Sequence, residues 1–333
     1  MKLLSQFSEA ARSASSSFCV GLWNLGSAWE IWALRAGGGD PRLAISLFRW
    51  MFGLTYLVNV SLRAIYAADY FGPDSGVPAT SATELLPEYF RPLWSLAPET
   101  WTGVWLWQGA LLVSIVLLIL GVRVRWMALI AFVAHSALVQ KNYSIVYGAD
   151  IVSGFFLFAL IFMGGGQRLK PLRPQALSEL GQSQWDRLWQ SVGWRMLQVQ
   201  LCLIYAYTGF EKLKGKEWWD QTALWQVLGN EQLMMFDLSF LRAWPALIGL
   251  MTWGTVLFEI YAPLTLWWKG TRKWTVIVGW GLHLGIGLTM GLWFFSLTMM
   301  SAYLLFLDPK WLEGLHEKFL MRRHRKPARG VSR

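Results

Sequence analysis

WTGVWLWQGALLVSIVLLILG, residues Trp101–Gly121, is 21 residues long and contains no charged side chain. A helix that crosses a bilayer needs about 20 mainly apolar residues, so this stretch alone predicts a transmembrane helix. The rest of the chain agrees, because 55% of its 333 residues are hydrophobic and only 15% are charged. An average soluble protein is about 25% charged. The composition therefore excludes a disordered protein, a disulfide-stapled secreted domain and an ordinary soluble enzyme.

Seven further apolar runs predict an all-α, polytopic transmembrane helix bundle of about eight spanning helices. The other predicted spans are Ala44–Tyr66, Trp126–Gln140, Ile151–Met163, Met196–Leu213, Ala246–Trp268, Trp274–Met290 and Phe294–Leu307. Residues 44–308 are thus predicted to form one membrane domain. Residues 1–43 form an N-terminal tail, in which the Trp-rich segment Phe18–Leu34 predicts an amphipathic helix lying in the interface. Residues 309–333 form a basic tail.

The net charge of +10 is distributed as expected for a membrane protein. With eight spans, 21 of the 30 basic residues fall on the side of the two termini, and five fall on the other side. Cytoplasmic loops are rich in Lys and Arg, so both termini are predicted to be cytoplasmic. We therefore expect a multi-pass protein of the cell inner membrane. Its basic tail is interpreted as contacting the anionic lipid of the bilayer, and no nucleic-acid partner is predicted.

Polar side chains inside the predicted spans are costly, and each is therefore a candidate functional residue. Glu259 lies roughly 15 Å from the cytoplasmic end of its span at the rise of a helix, so it must be protonated, paired or facing a cavity. His283 lies near the middle of its span, where it either hydrogen-bonds across a helix interface or meets a substrate. The same alternatives hold for His135. Three arginines near span ends are expected to snorkel to the interface: Arg49, Arg63 and Arg195.

The densest polar cluster is predicted at the extracytoplasmic face. Lys212 lies there although the charge rule disfavours lysine on that side, and a partly desolvated lysine can act as a base. We therefore interpret Lys212 as the candidate catalytic base and His283 as a second catalytic candidate. Asp150 either caps its helix or contributes to the site. The predicted substrate-binding residues are Asn142, Tyr143, Asp150, Tyr207, Glu211 and Glu259.

Six landmarks, in this order, resemble the vitamin K-dependent gamma-carboxylase-like membrane domain, also called the HTTM domain. They are Leu47–Gly53, Lys141–Asp150, Tyr207–Trp218, Leu257–Pro263, His283–Gly285 and Gly291–Ser296. The resemblance runs from about Asp40 to Trp311. In the carboxylases, the lysine corresponding to Lys212 is taken as the base that deprotonates vitamin K hydroquinone. The resemblance therefore implies a reduced quinone as cofactor and a site on the extracytoplasmic side.

Two departures from that family argue against the glutamyl carboxylation of a protein. A histidine of the carboxylases is replaced by Tyr143. In addition, the predicted tail after the last span is short, whereas the carboxylases carry a large lumenal domain that engages the protein substrate. We therefore expect a short HTTM protein that binds or oxidises a quinol-like or other amphipathic molecule.

The alternative is a non-enzymatic membrane partner or immunity-type subunit, bound to a separate partner chain, in which the same polar groups only hold the bundle together. A transporter is disfavoured because no inverted repeat is apparent. The sequence contains no P-loop, Rossmann, H-E-x-x-H or C-x-x-C pattern, so neither a metal nor a nucleotide is predicted. Whether the protein is an enzyme is left open by the sequence.

Overall fold

A computed structural model describes residues 41–73, 98–164 and 184–324, and these three ranges contain helices and no strand. The helices are α1 (Arg42–Ile65), α2 (Ala67–Phe71), α3 (Trp101–Leu120), α4 (Val124–Lys141), α5 (Gly148–Met163), α6 (Gln184–Lys212), α7 (Lys216–Trp219), α8 (Ala223–Leu228), α9 (Pro245–Thr265), α10 (Lys269–Met290), α11 (Trp293–Tyr303) and α12 (Pro309–His324). The prediction of an all-α fold is confirmed for this part of the chain.

Each of the eight predicted apolar runs coincides with a helix. Three of these helices, α1, α3 and α9, are long and apolar enough to cross a membrane. Helix α5 and the helical run Trp293–Phe306 are also apolar but shorter. The composition of these helices is that of a membrane protein, as the sequence predicted.

The largest difference from the predicted spans lies in α6. It begins at Gln184, whereas the apolar run begins only at Met196. The first turns of α6 are amphipathic, with Arg187 exposed and Trp194 buried, so a search for continuous apolar residues does not detect them. The predicted interfacial helix Phe18–Leu34 and the last nine residues of the basic tail lie outside the described residues.

Neighbouring helices pack as hairpins around an aromatic core. Phe48 and Phe52 stack with ring centroids 5.8 Å apart. The Phe156 ring meets both of them edge to face, with its centroid 5.4 Å from each of theirs. The turn between α3 and α4 uses Gly121 with a φ of 77°, a left-handed conformation that glycine adopts without steric cost. Because successive long helices reverse direction, the end of α1, the start of α5, the end of α6 and the start of α11 lie at one end of the bundle.

Close packing of α5 against α6 depends on Gly193. A Cβ atom at this position would overlap the α5 backbone at Ala159 and Met163. We expect Gly193→Ala to force the helices apart and to destabilise the fold by about 1–3 kcal/mol, the usual cost of overpacking. A lower apparent Tm in detergent would show this.

Gly254→Ala is the matched control, since nothing lies within 4 Å of a Cβ added to Gly254. It should leave the Tm unchanged or raise it slightly, because alanine favours a helix. Equal Tm values for the two variants would contradict the proposed packing of α5 on α6.

Candidate functional site

Two polar clusters lie close to each other inside the bundle. The first, the lysine cluster, consists of five side chains from α6, α9, α10 and α11: Tyr205, Lys212, Glu259, His283 and Tyr303. The second, the arginine cluster, consists of five residues from α1, α4 and the start of α5: Tyr56, Arg63, His135, Tyr147 and Asp150.

The lysine cluster is built on one face of α6. Tyr205 and Lys212 are seven residues apart, which is two helical turns, so their side chains point the same way. Lys212 Nζ donates a hydrogen bond to Glu259 Oε2 at 2.7 Å. The ammonium also lies 5.2 Å from the centre of the Trp218 ring, within range of a cation–π contact. The sequence predicted Lys212 and Glu259 separately, and the structure joins them as an ion pair.

Gly209 allows this ion pair to form. A Cβ atom at Gly209 would lie 3.1 Å from Ile260 N and 3.2 Å from the carbonyl carbon of Glu259. The absent side chain therefore lets α6 and α9 approach closely, as small residues do in membrane helices. Lys212 lies one turn further along α6, where its side chain meets Glu259. The paired side chains remain only 20% and 10% exposed, so neither charge is fully hydrated.

A chain of hydrogen bonds connects the lower part of the lysine cluster. Tyr303 donates its hydroxyl to the Tyr205 oxygen at 2.6 Å, and Tyr205 in turn lies 2.6 Å from His283 Nε2. With its oxygen accepting from Tyr303, Tyr205 donates to Nε2, which places the proton of neutral His283 on Nδ1. Nδ1 is buried and has no hydrogen-bond partner among the described residues. His283 thus holds an unused N–H donor inside the bundle.

The arginine cluster is centred on Asp150, whose side chain is fully buried. Arg63 binds both carboxylate oxygens, at 2.6 and 2.9 Å, and the backbone N–H of Tyr147 donates to Oδ2 at 3.1 Å. His135 Nε2 lies 3.1 Å from the Asp150 carbonyl oxygen and donates to it. His135 Nδ1 therefore accepts from the Tyr56 hydroxyl at 2.5 Å. Asp150 both caps α5 and pairs with Arg63, so the predicted helix cap is confirmed.

Phe295 separates the two clusters. Its ring meets His283 edge to face, with centroids 5.7 Å apart. On the other side it lies against Gly148, where an added Cβ atom would be 3.2 Å from Phe295 Cε2. Gly148 is two residues before Asp150, so the clusters are neighbours with one aromatic ring between them.

The remaining predicted contacts lie apart from Lys212. Tyr207 is 68% exposed. Glu211 accepts a hydrogen bond from exposed Lys214 at 2.6 Å, and this contact raises the pKa of Lys214. Asn142 is buried and donates to the Tyr70 carbonyl at 3.0 Å, which fixes the loop before α5. The side chain of Tyr143 lies outside the described residues.

Three tyrosines of the two clusters were not predicted from the sequence, and the predicted position of three arginines is wrong. Tyr56, Tyr205 and Tyr303 have no signal in the sequence, since a tyrosine in an apolar run is typical of an interface anchor. The expected snorkelling is wrong for Arg49 and Arg195, which are 0% and 4% exposed. It is also wrong for Arg63, because Asp150 binds its guanidinium inside the bundle.

Comparison with known proteins identifies the second half of this bundle. The family model described as HTTM domain matches residues 180–311, which run from the start of α6 to the start of α12. The resemblance to the HTTM family, predicted from the sequence, is therefore confirmed for this region. The match contains the whole lysine cluster but not the arginine cluster. No curated protein and no solved structure matches the chain.

Proposed function

We propose that the chain crosses the cell inner membrane eight times with both termini in the cytoplasm. The excess of basic residues on one side supports this orientation. It puts both polar clusters towards the extracytoplasmic side, since Arg63, Asp150 and Lys212 lie at helix ends on the side poor in basic residues. The hydrophobic lengths of α1, α3 and α9 support the spanning role.

Cysteine labelling tests this orientation. In a Cys19→Ser background, the variant Lys214→Cys should react with a membrane-impermeant maleimide in intact cells, and Lys269→Cys should react only after permeabilisation. Both positions are exposed, whereas the native Cys202 is buried and remains unreactive. Labelling of both positions from the same side would contradict the eight-span arrangement.

We propose further that the lysine cluster binds a quinol-like amphipathic molecule and removes a proton from its hydroxyl group. The unused Nδ1–H of His283 is the observation that carries this proposal. A buried donor without a partner costs about 1–3 kcal/mol, so a bound oxygen atom would relieve that cost. A quinol offers such an oxygen, and the neighbouring Lys212–Glu259 pair offers an acceptor for its proton.

Lys212 and Glu259 act together in the proposed proton transfer. Lys212 gives one proton to Glu259 across the 2.7 Å hydrogen bond, and the resulting neutral amine takes the proton of the quinol hydroxyl. The net result is one proton moved from the quinol to the Glu259 carboxylate, with the quinolate anion left beside the Lys212 ammonium. Such proton transfer by a positioned group accelerates a reaction by about 10²–10⁴-fold.

An apolar groove next to the cluster suits the tail of such a molecule. It has a volume of about 450 Å³ and lies between α9 and α10 under the α8 segment. Phe258 lines the groove and also contacts Tyr205, with ring centroids 5.5 Å apart. Gly281 and Gly285 leave open space along the α10 wall, where nothing lies within 4 Å of an added Cβ atom. The groove would hold an isoprenoid or acyl chain while the polar head meets His283.

Quinol oxidation by dioxygen tests the proposal, since the quinolate loses electrons faster than the quinol: one quinol and one dioxygen give one quinone and one hydrogen peroxide. We expect Lys212→Met to lower the protein-dependent rate at least about 100-fold. Lys214→Met is the matched control, because Lys214 forms a comparable but exposed ion pair with Glu211, three residues away in the sequence. The control should keep the full rate. Unchanged turnover in Lys212→Met would remove this lysine from the mechanism.

The second candidate is a non-enzymatic membrane partner, and the buried ion pair between Arg63 and Asp150 favours it. Interhelical polar contacts of this kind stabilise membrane bundles. In that case, substitutions at Lys212, Glu259 and His283 would lower the Tm, and quinol would have no effect on any variant.

A further inference from the structure

A second cavity, of about 310 Å³, lies at the end of α1 beside the arginine cluster. Asn59, Arg63, Tyr66 and Tyr147 supply its polar wall, and Phe294 closes it on the side of α11. None of these residues belongs to the lysine cluster.

Unused hydrogen-bond donors converge on this cavity. A guanidinium has five N–H groups, and Arg63 uses two of them on Asp150. No further acceptor for Arg63 is present among the described residues. The Asn59 side chain is 4% exposed, and within the same residues it has no hydrogen-bond partner. Burial raises the pKa of Tyr147, so its phenol stays protonated at neutral pH.

These donors favour an oxyanion. The Asp150 carboxylate does not repel such a group strongly, because its charge is already compensated by Arg63. Arginine forms strong charge-assisted hydrogen bonds to phosphate oxygens, often through two N–H groups. Asn59 adds a buried amide donor, and the stacked Arg63 and Tyr147 side chains, 5.7 Å apart, hold the guanidinium in place.

The surface next to the cavity is apolar. Leu62 lines the opening, and together with Leu54 and Val58 it forms a stripe along α1 with a spacing of four residues. Each of these side chains is about half exposed: 54%, 52% and 47% for Leu54, Val58 and Leu62. A molecule whose head occupies the cavity could therefore lay hydrocarbon chains along this stripe in the bilayer.

We propose that this cavity binds the phosphodiester headgroup of a membrane phospholipid, with the acyl chains against the Leu54–Val58–Leu62 stripe. The site is independent of the quinol chemistry proposed above, since Phe294 and Phe295 lie between the two. It would fix a lipid at the end of α1, where Arg63 and Asp150 join α1 to α5.

Native mass spectrometry with dioctanoylphosphatidylglycerol tests this site on the purified full chain. We expect one tightly bound lipid, and Asn59→Leu should weaken its binding about tenfold or more through the loss of a hydrogen bond to a charged group. Tyr147→Phe, which removes only a hydroxyl, should also weaken binding and serves if Asn59→Leu fails to fold. Tyr261→Phe, on an exposed face of α9, should bind the lipid like the wild type.

Further measurements distinguish a phospholipid in this cavity from a free phosphate ester or a quinol. Glycerol 1-phosphate should compete weakly, because it has the headgroup without the chains; equal competition would assign the cavity to a free phosphate ester. Lys212→Met should retain the lipid even if it loses quinol turnover. Undiminished lipid binding by both Asn59→Leu and Tyr147→Phe would overturn the proposal. Loss of quinol binding in Asn59→Leu would instead assign the cavity to the quinol.

Discussion

Asp150→Ala is expected to destabilise the protein by about 3–5 kcal/mol, the cost of removing one partner from a buried ion pair. The carboxylate is fully buried and accepts three hydrogen bonds, two from Arg63 and one from the Tyr147 N–H. Its removal leaves the guanidinium, only 19% exposed, without a counter-charge. The measurement is the unfolding of the detergent-solubilised protein, followed as apparent Tm and as the loss of monodisperse protein on heating.

The double variant Arg63→Met/Asp150→Leu separates the pair from the rest of the packing. Replacing a whole buried ion pair by apolar residues is often neutral or stabilising, so the double variant should regain most of the lost stability. A single variant as stable as the wild type would show that α1 and α5 do not depend on this contact.

Glu259→Gln is expected to lower quinol turnover strongly and to lower stability only modestly. Glutamine retains a side-chain oxygen that can accept the Lys212 hydrogen bond, so the loss of stability should be modest. It cannot take a proton, however, so quinol turnover should fall at least about 100-fold. Glu259→Ala should lose both, because Lys212, only 20% exposed, would be left without a partner.

Measuring both Tm and quinol turnover on the two Glu259 variants checks these expected effects. Glu211→Gln is the control, since it changes the exposed carboxylate that pairs with Lys214. A Glu259→Gln variant with wild-type turnover would mean that the carboxylate is only a structural partner of the lysine.

The helices could be predicted from the sequence wherever apolar residues are continuous. The run Trp101–Gly121 became α3 almost residue for residue, because a spanning helix leaves its composition in a single stretch. The first turns of α6 could not be found in this way. Polar and charged residues such as Asp186 and Arg187 interrupt their apolar residues, so a search for hydrophobic runs does not find them.

The sequence predicted several residues of the candidate site, but it did not predict which of them contact one another. Lys212, Glu259 and His283 are conspicuous because polar groups are costly at membrane depth. Their partners depend on which helices touch, and nothing in the local sequence of Tyr205 or Tyr303 indicates a hydrogen bond across the bundle. The pairing of Arg63 with Asp150 joins residues 87 positions apart and follows only from the packing of α1 on α5.

Native mass spectrometry with a short-chain benzoquinol tests whether the lysine cluster is a ligand site. We expect one bound quinol on the wild-type protein. We also expect loss of that quinol in His283→Phe, which removes the unused Nδ1–H, and its retention in the exposed control Tyr261→Phe. If the wild-type protein binds no quinol, or the His283→Phe variant binds it equally well, the lysine cluster is not the quinol site.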